Sequence, residues 1–124
     1  MKETFNTDYA SKDAVIIPNY VAGFQCGIDV PKEFMGKVVY AGHPVVKKEG
    51  KYSLLALAGD GKSFGDKEEG AEFVGVVKAS RQTDAHFDQT LAVMDIGVVE
   101  TKALHIPYTE ELIKEMSNLK IVLR

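Results

Sequence analysis

The segment Leu91–Leu104, Leu-Ala-Val-Met-Asp-Ile-Gly-Val-Val-Glu-Thr-Lys-Ala-Leu, limits the fold more than any other stretch. It is the longest apolar run with so few charges, and it is dense in β-branched residues. Such side chains are stiff at χ1 and pack well on a pleated surface. The run therefore reads as a central strand, with a bulge or bend at Gly97. It is flanked by the mixed segment Ala71–Asp88 and by the best helix signal in the chain, Thr109–Asn118.

In that second segment Thr109 is a good N-cap, and Glu110-Glu111 suit the positive end of a helix dipole. Leu112, Ile113, Met116 and Leu119 follow helical spacing and predict one apolar face, with the helix ending near Ser117-Asn118. Leu119, Ile121 and Leu123 then alternate with Lys120, Val122 and Arg124, which predicts a terminal strand with one apolar face.

Upstream, Val15-Ile16-Ile17 has strong β propensity, and Pro18 ends it or confines it to a sheet edge. Val21–Val30 reads as a short extended piece with turns at its glycines, and Pro31-Lys32-Glu33 as a turn or a single helical turn. Gly36–Val46 is strand, an Ala-Gly-His-Pro corner, then strand. Lys48-Glu49-Gly50-Lys51 is a turn, and Tyr52–Ala58 is strand or a short helix. Gly59–Gly70 is the clearest loop. Ala71–Ser80 is a strand with Gly75 inside it, and Arg81–Gln89 is polar and turn-like. About seven short strands with Gly-rich turns predict a mainly β fold, a β-sandwich or barrel-like core with one short C-terminal α-helix. An α+β arrangement is the alternative.

Residues 14–124 are expected to form one β-rich domain. Met1–Asp13 is polar except for Phe5 and Tyr9 and reads as a flexible N-terminal arm. A chain of 124 residues, 45% of them hydrophobic, has enough apolar mass for a core without staples. The net charge of −3 and the scattered basic residues argue against nucleic acid as a partner. The single cysteine, Cys26, forms no internal disulfide, and its neighbours Gln25 and Gly27 offer nothing to activate a thiol. No apolar run approaches the ~20 residues of a membrane helix, and the N-terminus shows no signal-peptide pattern. No membrane partner is expected, and a reducing interior fits the unpaired thiol.

The chain carries no nucleophile elbow and no His-Glu-x-x-His helix. Gly61-Lys62-Ser63 ends like a phosphate-binding loop, but Ala56 stands where the first Gly belongs. Asp60, Asp66, Glu68 and Glu69 would also repel a phosphate. Asp84, His86 and Asp88 alternate, which places them on one side of an extended chain. With His43 they make the one metal reading available, through His43, Asp84 and His86. His43 and His105 each sit beside a proline and read as structural or surface residues. Glu68-Glu69 and Glu110-Glu111 are adjacent pairs whose side chains diverge, so neither is an acid–base dyad. No cofactor and no enzymatic activity are expected.

Gly36-Lys-Val-Val-Tyr-Ala-Gly-His-Pro-Val-Val46 resembles the Gly-x-Val-Val-x-Ala-Gly-Thr-Pro-Leu corner of the head decoration and head-fibre proteins of tailed bacteriophages. The Gly-containing strand Ala71–Gly75 leading to Gln82-Thr83-Asp84 is similar to the strand and acidic turn that follow in that family. Ala92–Val99 matches its Ala-Val-Leu-x-x-Gly-x-Val strand. Ala103–Pro107, Thr109–Asn118 and Ile121–Leu123 look like its closing segments. The resemblance covers about Gly36–Leu123, and His43 stands where the family tends to have Thr.

The resemblance implies a structural virion protein on the outer surface of the capsid, assembled in the host cytoplasm. Its partners would be the major capsid protein, two further copies in a homotrimer, and in some cases a head-fibre or adhesin protein. The capsid-binding arm would then use Phe5 and Tyr9 as aromatic anchors and Val15, Ile16 and Ile17 as an added strand. The competing readings are a small β-barrel ligand-binding or metal-dependent domain, with His43, Asp84 and His86 as its polar groups, and an adaptor domain of another assembly.

Overall fold

The computed structural model describes residues 22–23 and 27–124. The expectations for Phe5, Tyr9, Val15, Ile16, Ile17 and Cys26 lie outside the described residues.

Ten strands are described. They are β1 (Ala22–Gly23), β2 (Ile28–Asp29), β3 (Val38–Val39), β4 (Pro44–Lys48), β5 (Lys51–Leu54), β6 (Glu72–Val77), β7 (Arg81–Gln82), β8 (Thr90–Leu91), β9 (Val93–Val99) and β10 (Lys120–Leu123). One α-helix, α1 (Glu110–Glu115), precedes β10. The fold is thus mainly β with a short C-terminal helix, as the sequence predicts. The main sheet has the order β1-β9-β6-β4-β5, with β10 parallel to β9, and β2–β8 and β3–β7 form two small antiparallel ribbons.

The predicted run Leu91–Leu104 divides into the end of β8, which lies in a ribbon, then β9, the spine of the main sheet, and a 3-10 turn at Thr101–Ala103. Met94 pairs with both Gly23 and Val76, and Ile96 with both Ala22 and Lys120. A strand has two edges, so β1 takes one edge of β9 while β6 and β10 divide the other. A parallel neighbour needs a long crossover. Residues 100–119 supply it, and they carry α1 over the sheet.

The bend expected at Gly97 lies two residues earlier. Gly97 pairs in register with Ile121, whereas the step from Gly23↔Met94 to Ala22↔Ile96 leaves Asp95 as the extra residue. The bulge reverses the alternation of side chains. Met94 and Val99, five positions apart, both pack under the helix. Val93 faces the opposite side. Gly97 leaves room for the Met94 thioether, which a Cβ there would push aside. Asp95 Oδ1 is buried with no hydrogen-bond partner among the described residues.

A second bulge lies between β4 and β6, where Val45 faces Gly75 and Val46 faces Phe73, so Val74 is extra. A Cβ on Gly75 would stand 2.5 Å from the Met94 carbonyl oxygen and 3.0 Å from Val93 Cγ1, so only glycine lets β6 approach β9 this closely.

Adjacent residues of the central strands feed two cores. Val46, Phe73, Val76 and Met94 face one side, where Leu112, Met116, Phe64, Tyr108 and Leu119 cover them. Val45, Val77, Val93 and Leu54 of β5 face the other, where Ile28, Val39 and Leu91 of the ribbons cover them. Burial on both faces explains the unbroken apolar pairs Val45-Val46, Val76-Val77 and Val93-Met94.

The Thr109 hydroxyl accepts a hydrogen bond from the Leu112 amide at 3.1 Å, which confirms the N-cap. Leu112 and Met116 are buried, and Leu119, Ile121 and Leu123 pack beside them. Ile113 is 39% exposed, a correction to the predicted apolar face. It lies one residue, about 100° of rotation, from Leu112, and falls outside the stripe that the sheet covers. Tyr52–Ala58 resolves as strand only through Leu54. Lys48, expected in the turn, is the last residue of strand β4. Glu49 and Gly50, with φ of 52° and 80°, make the two-residue turn to β5.

Candidate functional site

The Ala41-Gly42-His43-Pro44 corner, one of the motifs of the resemblance, is a buried polar junction. Gly42 has φ of 91°, a left-handed conformation that other residues rarely adopt. Its amide donates to the Val77 carbonyl at 2.8 Å, and the Val77 amide donates to the His43 carbonyl at 2.9 Å. The Ser80 hydroxyl accepts from the Ala41 amide at 2.8 Å. The Tyr108 hydroxyl donates to the Gly42 carbonyl from the crossover. Burial pushes the Tyr108 phenol well above its ordinary range.

His43 is 5% exposed. Its ring stands edge-on to Phe34 at 5.2 Å and to Phe64 at 4.9 Å. Nε2 lies 2.7 Å from the Leu55 carbonyl oxygen. A carbonyl only accepts, so Nε2 carries the proton. Burial lowers the His43 pKa from 6.5 to about 4, and the bond to Leu55 opposes only part of that shift. At neutral pH the ring is an uncharged fastener that joins the 3-10 turn Lys32–Phe34, the corner and the segment after β5.

The structure does not bring His43, Asp84 and His86 together as a ligand set. His43 is enclosed by aromatic rings, while Asp84 and His86 stand on an exposed loop. There Asp84 Oδ1 accepts from the His86 amide at 2.7 Å, a local turn bond. Among the described residues no three His, Cys, Asp or Glu side chains are placed to hold a metal ion. His105 stacks on Tyr40 with ring centroids 3.8 Å apart.

Gly61-Lys62-Ser63 is spent on its own loop. Asp60 Oδ1 accepts from the Lys62 amide at 2.9 Å, and the Ala58 amide donates to the Ser63 carbonyl at 2.9 Å. The amide that a phosphate would need is already satisfied by a carboxylate. A cleft of about 100 Å³ opens between Val46, Leu55, Ala71 and the exposed Lys48–Glu68 ion pair, whose atoms are 2.9 Å apart. A wider one of about 450 Å³ lies beside Phe34, Lys37 and Leu57. Neither is lined by His43, Asp84 or His86.

Sequence reasoning missed the loop between β7 and β8 as a built element. Thr83 is 3% exposed, and its Oγ1 lies 2.7 Å from the carbonyls of both Phe34 and Lys37. The Thr83 amide also donates to the Lys37 carbonyl at 3.0 Å. Gln89 Nε2 donates to the carbonyls of Asp84 at 3.0 Å and Phe87 at 3.1 Å. The loop is pinned at its base and across its mouth, yet Phe87 at its tip is 67% exposed. The readable signal was a lone large aromatic residue, Phe87, inside the otherwise polar stretch Arg81–Gln89.

A scan of family models, a search of curated proteins and a search of solved structures each match nothing. Among the described residues no helix is long and apolar enough to cross a membrane.

Proposed function

We propose that the chain is a structural virion protein that decorates the outer surface of a tailed-phage capsid as a homotrimer. One observation supports this reading. The three segments that carry the resemblance each reach the main sheet: Gly36–Val46 contributes β3 in a ribbon and the first three residues of β4, Ala71–Gly75 most of β6, and Ala92–Val99 β9, with the contiguous order β4-β6-β9. Motifs far apart in sequence thus meet as a single structural unit. The closing segments Ala103–Pro107 and Thr109–Asn118 cover that unit through Leu104, Ile106, Leu112 and Met116.

In this role the domain supplies stiffness and surface. A sheet whose central strands β4 and β6 are covered on both faces, locked at the His43 corner, resists shear between bound capsid subunits, while the N-terminal arm would supply edge-strand pairing. The test is the solution mass by light scattering, followed by co-sedimentation with empty capsids of the cognate phage, with and without Met1–Asp13. A trimer that sediments with capsids only when its arm is present is the expected result. A monomer indifferent to capsids overturns the reading.

A further inference from the structure

The bulge at Asp95 has a consequence on the outer side of the sheet. Beyond it, Gly97 and Val99 turn toward the helix, so Ile96 and Val98 turn the other way. β10 runs parallel with Ile96↔Lys120 and Val98↔Val122, so these four residues share one face. Ile96 and Val98 are half-buried and Val122 is 56% exposed. The ribbons cover this face only around Val45, Val77 and Val93. The remaining patch is Ile96, Val98 and Val122; its exposed charges are the cations Lys120 and Arg124, and the half-buried Glu100 follows Val98 on the same face beside Arg124.

The Phe87 loop is the complement of that patch. It presents a single large ring, flanked by the exposed Asp84 and Asp88. Its conformation is fixed by the Thr83 and Gln89 bonds, so little ordering entropy is lost when it docks. The cations of this region sit at the loop's base and not at its tip: the Arg81 guanidinium donates to the Thr90 carbonyl at 2.7 Å, and the exposed Lys37 lies where its backbone meets Thr83. An aromatic anchor with two carboxylates at its tip matches an aliphatic patch whose exposed charges, Lys120 and Arg124, are cations, in both shape class and charge sign.

We infer that Phe87 of one copy docks on the Ile96–Val98–Val122 patch of a second copy, with Asp84 and Asp88 facing Lys120 and Arg124, as a head-to-tail contact. The inference rests on the homo-oligomer part of the reading above and assigns its interface. A contact between two different surfaces of the same chain is heterologous, and closed rotation of such contacts makes a ring. A trimer is the smallest ring of this kind beyond a pair.

The experiment uses the full chain and two variants, Phe87→Ala and Val122→Asp, measured by sedimentation velocity. Both positions are exposed, and circular dichroism checks that each variant keeps the wild-type fold. The wild type is expected to be oligomeric and each variant monomeric. An equimolar mixture is the discriminating arm: Phe87→Ala keeps its patch, Val122→Asp keeps its ring, and one junction forms per pair. The mixture is expected to give a one-to-one heterodimer and nothing larger. A wild-type oligomer whose mass neither variant changes overturns this contact and leaves the homo-oligomer standing. Variants that are monomeric alone and stay monomeric when mixed overturn the head-to-tail geometry. A wild-type monomer overturns both.

Discussion

Protonation of His43 is expected to set the acid limit of the fold. In the unfolded chain the imidazole titrates at its ordinary value of 6.5, whereas burial between Phe34 and Phe64 lowers the folded value to about 4. At pH 7 both states are neutral at this residue and its contribution is complete. As pH falls below 6.5 the unfolded state binds a proton that the folded state refuses, so stability falls. The loss continues until about pH 4, where the folded state titrates too. At 1.36 kcal/mol per pH unit, the gap amounts to about 3 kcal/mol. That is a large share of the roughly 5–15 kcal/mol that holds a domain of this kind together.

Urea denaturation at intervals from pH 7.5 to pH 4.5 measures this directly, with His43→Gln as the reference, because its amide still offers a donor toward Leu55. The variant is less stable at pH 7.5, since it fills less of the space between the two rings. The wild-type curve then falls toward the variant's by about 2–3 kcal/mol as pH drops to 4.5. In parallel, the ring-proton resonance of His43 is expected to keep its neutral position down to pH 5. Parallel stability curves, or a His43 resonance that titrates near 6.5, would refute the enclosure of the ring.

Three further substitutions probe the same framework. Gly75→Ala forces a methyl against the Met94 carbonyl, backbone that cannot yield cheaply, and is expected to cost roughly 1–3 kcal/mol or more in urea denaturation. Tyr108→Phe removes the hydroxyl that serves the Gly42 carbonyl and should lower stability by roughly 1–2 kcal/mol without changing the circular dichroism spectrum. Thr83→Val deletes the buried hydroxyl shared by Phe34 and Lys37 and should cost roughly 1–3 kcal/mol. Hydrogen exchange at the Lys37 amide, which donates to Thr83 Oγ1 at 3.1 Å, should also speed up. Unchanged exchange there would show that the loop is held by other means.

What the sequence disclosed was the local part of this arrangement. Thr109 caps its helix because the hydroxyl reaches an amide three residues away, and Ile121 and Leu123 alternate with exposed neighbours because a strand has period two. The corner at Ala41–Pro44 was readable for the same reason. The rings that enclose His43 were not, since Phe34 precedes it and Phe64 follows it across separate elements. Ile113 was misplaced because periodicity gives the centre of an apolar stripe and not its width. The bend was assigned to Gly97, the flexible residue, yet it falls at Asp95, because the partner strand β1 decides where the extra residue goes. Of the three residues of the metal reading, His43 went to the core and Asp84 and His86 to an exposed loop, a separation that spacing along the chain does not encode.

The Asp95 bulge ties the architecture to the surface. With unbroken alternation, Met94, Ile96 and Val98 would all lie under the helix and Gly97 and Val99 would face outward. The extra residue exchanges them. Val99 joins Met94 in the helix-side core, and Gly97, lacking a side chain, leaves room for the methionine sulfur. The cost is that Ile96 and Val98 emerge on the far face. β10 then extends them with Val122, because a parallel partner in direct register presents the same face as the residue it pairs with. The apolar patch is thus a geometric consequence of how the helix-side core is filled. The basic residues beside it, Lys120 and Arg124, fall there by the same alternation that sends Ile121 and Leu123 inward. One backbone irregularity therefore fixes both what the helix covers and which apolar side chains emerge on the far face.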